Sequence, residues 1–143
     1  MVHADGASRG NPGQAAGGAV VLDADSGEVI AQLGVRCGVA SNNVAEYRGM
    51  IEALRLLRDW DIHQPVVVRM DSKLVVEQMS GRWKVKHPDM RELVKTAFEV
   101  MGPMTVRFEW VPRDDNALAD AAANQALDRG QDYLTVRGVD QPL

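Results

Sequence analysis

An aspartate, Asp5, closes the first apolar run of the chain, Met1-Val2-His3-Ala4, and a glycine-rich stretch follows it, Gly6-Ala7-Ser8-Arg9-Gly10-Asn11-Pro12-Gly13. Glycine admits positive φ and lets a backbone approach a ligand or a neighbouring element closely. Pro12-Gly13 suits a turn. The pattern predicts a strand over Val2 to Asp5, cut short by a loop with an acid at its mouth. A plain hairpin turn capped by its aspartate has the same local pattern, so the rest of the chain must decide between them.

Ala16 to Leu22 and Val29 to Arg36 read as two further strands, joined by the polar turn Asp23-Ala24-Asp25-Ser26-Gly27. Short links imply an antiparallel meander. Ser41-Asn42-Asn43 supplies capping residues for a helix from Val44 to Asp59. Its apolar positions, Tyr47, Met50, Ile51, Leu54 and Leu57, have amphipathic spacing. Glu46 lies on the same side of that helix, where an unpaired carboxylate is costly. A first-turn acid favourable to the helix dipole is the plainer reading.

Val66-Val67-Val68-Arg69-Met70-Asp71 is a β-branched run that again ends in aspartate. A helix separates it from the meander, so it is expected to pair parallel to the first strand. Two aspartates at the carboxyl ends of neighbouring parallel strands then sit side by side, on the edge where open α/β sheets place their sites. A short helix, Leu74 to Met79, comes next, and Met90 to Met101 is another. Thr105 to Trp110 makes the fifth strand, and the alanine-rich segment from Ala117 to Leu127 a closing helix that carries Asp120. Between the two middle helices lies a basic connection, Gly81-Arg82-Trp83-Lys84-Val85-Lys86-His87-Pro88. From Arg82 to Lys95 five Lys/Arg face Asp89 and Glu92, an excess of three positive charges. A solvated surface explains such a run; a nucleic-acid footprint explains it too, with cations on phosphates and Trp83 on a sugar or base.

Bulk properties narrow the class. A chain of 143 residues is the length of one ordinary domain, and 45% hydrophobic residues can build a core. No run of about 18 apolar residues predicts a membrane span, and no basic region precedes an apolar block as in a signal peptide. One cysteine, Cys37, suits a reducing cytoplasm and reads as a small buried hydrophobe. The net charge of −4 argues against a general nucleic-acid binder, although acids gathered at a metal site inflate it. Asp5, Glu46, Asp71 and Asp120 come from two strand ends and two helices. Like charges brought together raise one another's pKa values, and hard divalent cations such as Mg²⁺ relieve that repulsion.

Four segments resemble type 1 ribonucleases H, in that family's order: Asp5-Gly6-Ala7-Ser8-Arg9-Gly10-Asn11-Pro12-Gly13, Ser41-Asn42-Asn43-Val44-Ala45-Glu46, Asp71-Ser72, and Asn116-Ala117-Leu118-Ala119-Asp120 with Asn124. The resemblance covers about residues 1 to 128. It implies an α/β, ribonuclease H-like fold, a five-stranded mixed sheet (three antiparallel strands, then two parallel) flanked by helices. Residues 1–129 would form that domain, with 130–143 a tail or the start of a linker. It implies an endonuclease that cuts the RNA strand of an RNA–DNA hybrid with two Mg²⁺, Mn²⁺ being a substitute; apart from the resemblance, the expectation is a cytoplasmic monomer. Asp5 would bridge both ions. Glu46 would hold one of them and lie near the 2′-hydroxyl, Asp71 would be the second central ligand, and Asp120 would complete the other site. Gly10, Asn11, Asn42 and Asn43 would offer minor-groove contacts, Ser41 a DNA-strand phosphate contact, and Ser72, Trp83, Lys84 and Lys86 further substrate contacts.

The chain departs from the family pattern twice. Many members carry a histidine in the loop before the last helix. Here that loop reads Pro112-Arg113-Asp114-Asp115, and none of His3, His63 or His87 fits the position. Arg113 resembles the substitute of one branch, a charge stabiliser near the scissile phosphate that cannot shuttle protons at neutral pH; a surface arginine paired with Asp114 or Asp115 is the alternative. The long basic insertion of some members is also missing, since only Gly81 to Pro88 leads to the next helix. Two rival functions remain, a related two-metal nuclease or strand-transfer enzyme and a catalytically silent binding module. Activity on duplex DNA would favour the first. Loss of a carboxylate would mark the second, and all four are present.

Overall fold

A computed structural model describes residues 1–143. Seven strands form one sheet: β1 (Val2–Gly10), β2 (Gly13–Leu22), β3 (Val29–Ala40), β4 (Val66–Met70), β5 (Val106–Trp110), β6 (Tyr133–Val136) and β7 (Val139–Gln141). Their spatial order is β5-β4-β1-β2-β3-β6-β7. The meander β1-β2-β3 is antiparallel, and β4 joins β1, and β5 joins β4, in parallel. The helices are α1 (Asn42–Asp59), α2 (Lys73–Met79), α3 (Pro88–Met101) and α4 (Ala117–Arg129), with a 3-10 turn over Arg113–Asn116 ahead of α4.

The sheet has seven strands where the sequence predicted five. The two additional strands lie in 130–143. Tyr133 to Val136 pairs antiparallel with β3, and β7 folds back on β6. The turn between them, Arg137-Gly138, has positive φ at both residues, 49° and 78°. Tight hairpins of that hand favour Asn-Gly or Asp-Gly, and an arginine in the first position conceals the turn from a reading of residue types. Tyr133 and Leu134 are buried, and the Tyr133 hydroxyl donates to the Ala122 carbonyl of α4 at 2.9 Å.

The first strand is also longer than expected. The glycine-rich stretch is part of β1 and the turn that follows, with Gly6 opposite Gly17 and Gly10 opposite Gly13. Gly6 of this stretch, and Gly17 and Gly18 of β2, serve helix packing. A β-carbon on Gly17 would lie 2.3 Å from the Gly49 nitrogen of α1, and one on Gly18 would lie 2.3 Å from the Ala123 nitrogen of α4. Both helices therefore rest directly on the centre of the sheet.

The main core lies between the sheet and α1, α2 and α3, and includes Val2, Leu33, Tyr47, Met50, Leu54, Val68, Met70 and Val76. With aromatics at 5% of residues, aliphatic side chains and methionine fill it. The buried Tyr47 hydroxyl donates to Gln78 Oε1 at 2.6 Å and ties α1 to α2. No helix is long and apolar enough to cross a membrane.

Candidate active site

The parallel register sets the first two acids level. Val2 of β1 pairs with Val68 of β4, and His3 with Arg69. Three residues on from Val2 and Val68 stand Asp5 and Asp71. The first turn of α1 crosses β1 at Gly6, where a β-carbon would lie 2.3 Å from the Glu46 nitrogen. That close crossing brings Glu46 beside the two aspartates. Carboxylate oxygens of Asp5, Glu46 and Asp71 lie within 4.8 Å of one another.

The cluster is electrostatically expensive without a cation. Burial first, then the Asp71 carboxylate, push Asp5 up to about 7, although the Gly6 N–H donates to its Oδ1 at 2.9 Å. Burial first, then Asp5 and Asp71, push Glu46 up to about 9. Glu46 Oε2 is buried with no hydrogen-bond partner. A buried polar atom without a partner normally has an unfilled role. Three convergent carboxylates with one orphaned oxygen fit a hard divalent cation, which takes oxygen ligands and lowers the repulsion.

Asp120, from the first turn of α4, lines the same cleft of about 340 Å³ with Asn42, Arg113 and Asn124. It stands outside the tight trio, and its charge still raises both Asp5 and Glu46. Asn124, one turn on, donates to the Asp120 carbonyl at 3.0 Å and to its Oδ1 at 3.3 Å. Arg113 is exposed at the cleft's edge and forms no ion pair with Asp114 or Asp115. The four carboxylates and Arg113 thus line one cleft.

Beside it runs a larger groove of about 1000 Å³, between the β1–β2 turn, the start of α1 and the α2–α3 connection. Ser41, Asn43, Lys84 and Lys86 line it. Trp83 is 45% exposed on that connection, outside the lining. Of the cations counted in the sequence, Arg82 is held by both Glu77 oxygens, at 2.7 and 2.8 Å, and Arg91 donates to the Val85 carbonyl. Lys84 and Lys86 are the ones left facing the groove.

Several predicted contacts have structural duties. The Ser41 hydroxyl accepts from the Val44 N–H and caps α1, and the Ser72 hydroxyl accepts from the Val75 N–H and caps α2, each at 3.3 Å. Asn11 Oδ1 accepts from the Asn42 N–H at 3.2 Å, which pins the β1–β2 turn to α1. Gly10, with φ of 102°, forms the exposed corner of that turn. One residue went unassigned in the sequence. Asn116 is buried at the start of α4 and donates to Asp71 Oδ1 at 2.8 Å. The sequence shows it only within the fourth resembling segment, and a contact made 45 positions away leaves no local signal.

Residues 3–126 match the family described as reverse transcriptase-like. Over 129 residues the chain is 50% identical to the bifunctional protein Rv2228c of Mycobacterium tuberculosis, a match covering 90% of this chain and 35% of that protein. The chain therefore spans about a third of that relative's length. The N-terminal RNase H domain of Rv2228c, solved as a fusion with maltose-binding protein, has a TM-score of 0.83 over 90% of this chain and 92% of that one. RNase H1 from the archaeon Halobacterium salinarum is 41% identical, with a TM-score of 0.83 over 90% and 96% of the two chains. LC11-RNase H1, solved in complex with an RNA/DNA hybrid, is 36% identical, with a TM-score of 0.85 over 90% and 96%.

Proposed function

The chain belongs to the reverse transcriptase-like family, with type 1 ribonucleases H among its relatives, and from that membership we propose that it is an endonuclease hydrolysing the RNA strand of RNA–DNA hybrids to 5′-phosphate and 3′-hydroxyl ends. The observation that carries this reading is the cleft itself: Asp5, Glu46 and Asp71 converge, Glu46 Oε2 lacks a partner, and Asp120 faces them. Asp5, Glu46, Asp71 and Asp120 would hold two Mg²⁺ ions between them. Mn²⁺ would substitute. When bound, such ions would supply an activated water and a charge sink for the leaving oxygen.

The protein's own groups do the rest. Asp5 and Asp71 are fixed by strand register, so they need no rearrangement to meet substrate. Glu46 and Asn42 reach the cleft from the first turns of α1, a position suited to sensing the 2′-hydroxyl that DNA lacks. Arg113 would stabilise charge on the scissile phosphate from the rim. Ser41, Asn43, Lys84 and Lys86 would hold the DNA strand along the larger groove. All four carboxylates come from one chain, which suits a monomer.

A cleavage assay tests the proposal. End-labelled RNA would be offered in a hybrid with DNA, alone, as duplex RNA, and beside duplex DNA, each with Mg²⁺, Mn²⁺ or EDTA. Metal-dependent cutting of the hybrid's RNA strand alone, lost in Asp71→Asn, is the expected result. Hybrid binding without cutting would replace the proposal with a silent binding module, and cutting of duplex DNA would replace it with a broader nuclease.

A further inference from the structure

Asn116 is 1% exposed and stands immediately before α4. An asparagine in that place ordinarily accepts hydrogen bonds from the first-turn N–H groups of its helix. Here the side chain makes no capping bond. Its amide nitrogen instead donates to the Ala4 carbonyl at 2.9 Å and to Asp71 Oδ1 at 2.8 Å. The amide orientation is forced, because both neighbours are acceptors and only the NH₂ end can serve them. Its Oδ1 is left buried without a partner.

The two acceptors belong to neighbouring strands. Ala4 immediately precedes Asp5 in β1, and Asp71 immediately follows β4. One NH₂ group therefore ties the backbone leading into one carboxylate to the side chain of the other. It also holds one Asp71 oxygen, which fixes the rotation of that carboxylate beside Asp5 and Glu46. The lost helix cap and the orphaned Oδ1 offset part of what the two donated bonds contribute to folding.

We propose that Asn116 is a positioning residue, which presets Asp71 and the Asp5-bearing strand for divalent-cation binding. The inference rests on the two-cation reading of the site. Groups behind metal ligands typically govern about 10–100-fold in metal affinity or activity.

The test is Mn²⁺ binding to the full chain without substrate, followed by the electron paramagnetic resonance signal of free Mn²⁺. Two variants are compared with wild type. Asn116→Asp is isosteric and puts an acceptor against both acceptors. Asn116→Ser shortens the side chain and carries the test should the first variant not fold, as judged by circular dichroism. The expected result is a dissociation constant for Mn²⁺ raised by about 10–100-fold. Turnover should fall and partly recover at high Mn²⁺, while KM for the hybrid stays unchanged. Unchanged Mn²⁺ affinity in the folded variants, even with a lowered melting temperature, would overturn the proposal. So would a wild-type protein that binds no Mn²⁺. A wild type that binds Mn²⁺ but does not cut hybrid, with affinity still lost in the variants, would support the positioning role and overturn the proposed activity.

Discussion

The Glu46 backbone nitrogen crosses Gly6 so closely that a β-carbon on the glycine would lie 2.3 Å from it. The contact sits one residue after Asp5 and sets the separation of two site acids. Backbone atoms cannot swing aside as a side-chain tip can, so Gly6→Ala must lift the first turn of α1 from β1. Overpacking of this kind costs about 1–3 kcal/mol. Chemical denaturation should show a loss of that size. Cation affinity should fall further than stability alone explains, because the lift carries Glu46 away from Asp5. An unchanged denaturation midpoint would show that the helix can move without consequence.

The acids should make the cation-free protein less stable as pH rises. Burial first, and then neighbouring carboxylates, raise Glu46 from 4.5 to about 9 and Asp5 from 3.8 to about 7. A raised acid means that the folded state keeps a proton the unfolded chain has released, so stability declines with pH. For Glu46 the decline begins as pH passes 4.5 and is complete above about 9. In EDTA, the melting temperature should fall across that window, and Glu46→Gln should flatten the fall and exceed wild type at its alkaline end. Added Mn²⁺ should reverse that order, since a ligand bound only by the folded state stabilises it. A flat wild-type profile in EDTA would contradict the prediction.

Substrate affinity should depend on salt through two side chains. Lys84 and Lys86 face the larger groove, whereas Arg82 is already engaged by Glu77. Each phosphate contact contributes about 0.9 to the slope of log affinity against log salt on duplex DNA. Lys84→Ala/Lys86→Ala should therefore weaken hybrid binding at low salt and reduce the slope by about 1–2. Arg82→Ala should leave the slope alone. Equal slopes for the double variant and wild type would remove these lysines from the interface.

The carboxylates were legible because each is out of place locally. In the sequence Asp5 and Asp71 each close an apolar run, and Glu46 shares a helix side with Met50 and Leu57. Their meeting followed from parallel pairing, which the intervening helix made necessary. Asn116 was not legible, because its residue type satisfies a local rule, helix capping, that the structure sets aside for a contact with residues 112 and 45 positions away. The β6–β7 hairpin was hidden for a related reason. Its strands are four and three residues long, and its turn places Arg137 where the sequence rule expects asparagine or aspartate. The extension of β1 through Gly10 is hidden because its glycines read as loop, when the missing side chain of Gly6 makes room for α1. In each case a tertiary neighbour, invisible to local pattern, decided the outcome.

Arg113 lines the acid cleft, is exposed, and pairs with neither adjacent aspartate. A guanidinium so placed is free to meet charge that develops on a phosphate. Solvent screens it, so its loss should matter less than that of a buried oxyanion donor, which costs about 10²–10³ in turnover. Arg113→Ala should lower kcat on the order of tenfold with KM little changed, the signature of an interaction made only in the transition state. Arg113→Lys should recover part of the loss, because a point charge survives while the planar fork does not. Single-turnover cleavage of a hybrid with saturating enzyme separates chemistry from release. A rise in KM with kcat unchanged would instead make Arg113 a ground-state phosphate contact and leave transition-state stabilisation to the carboxylate site alone.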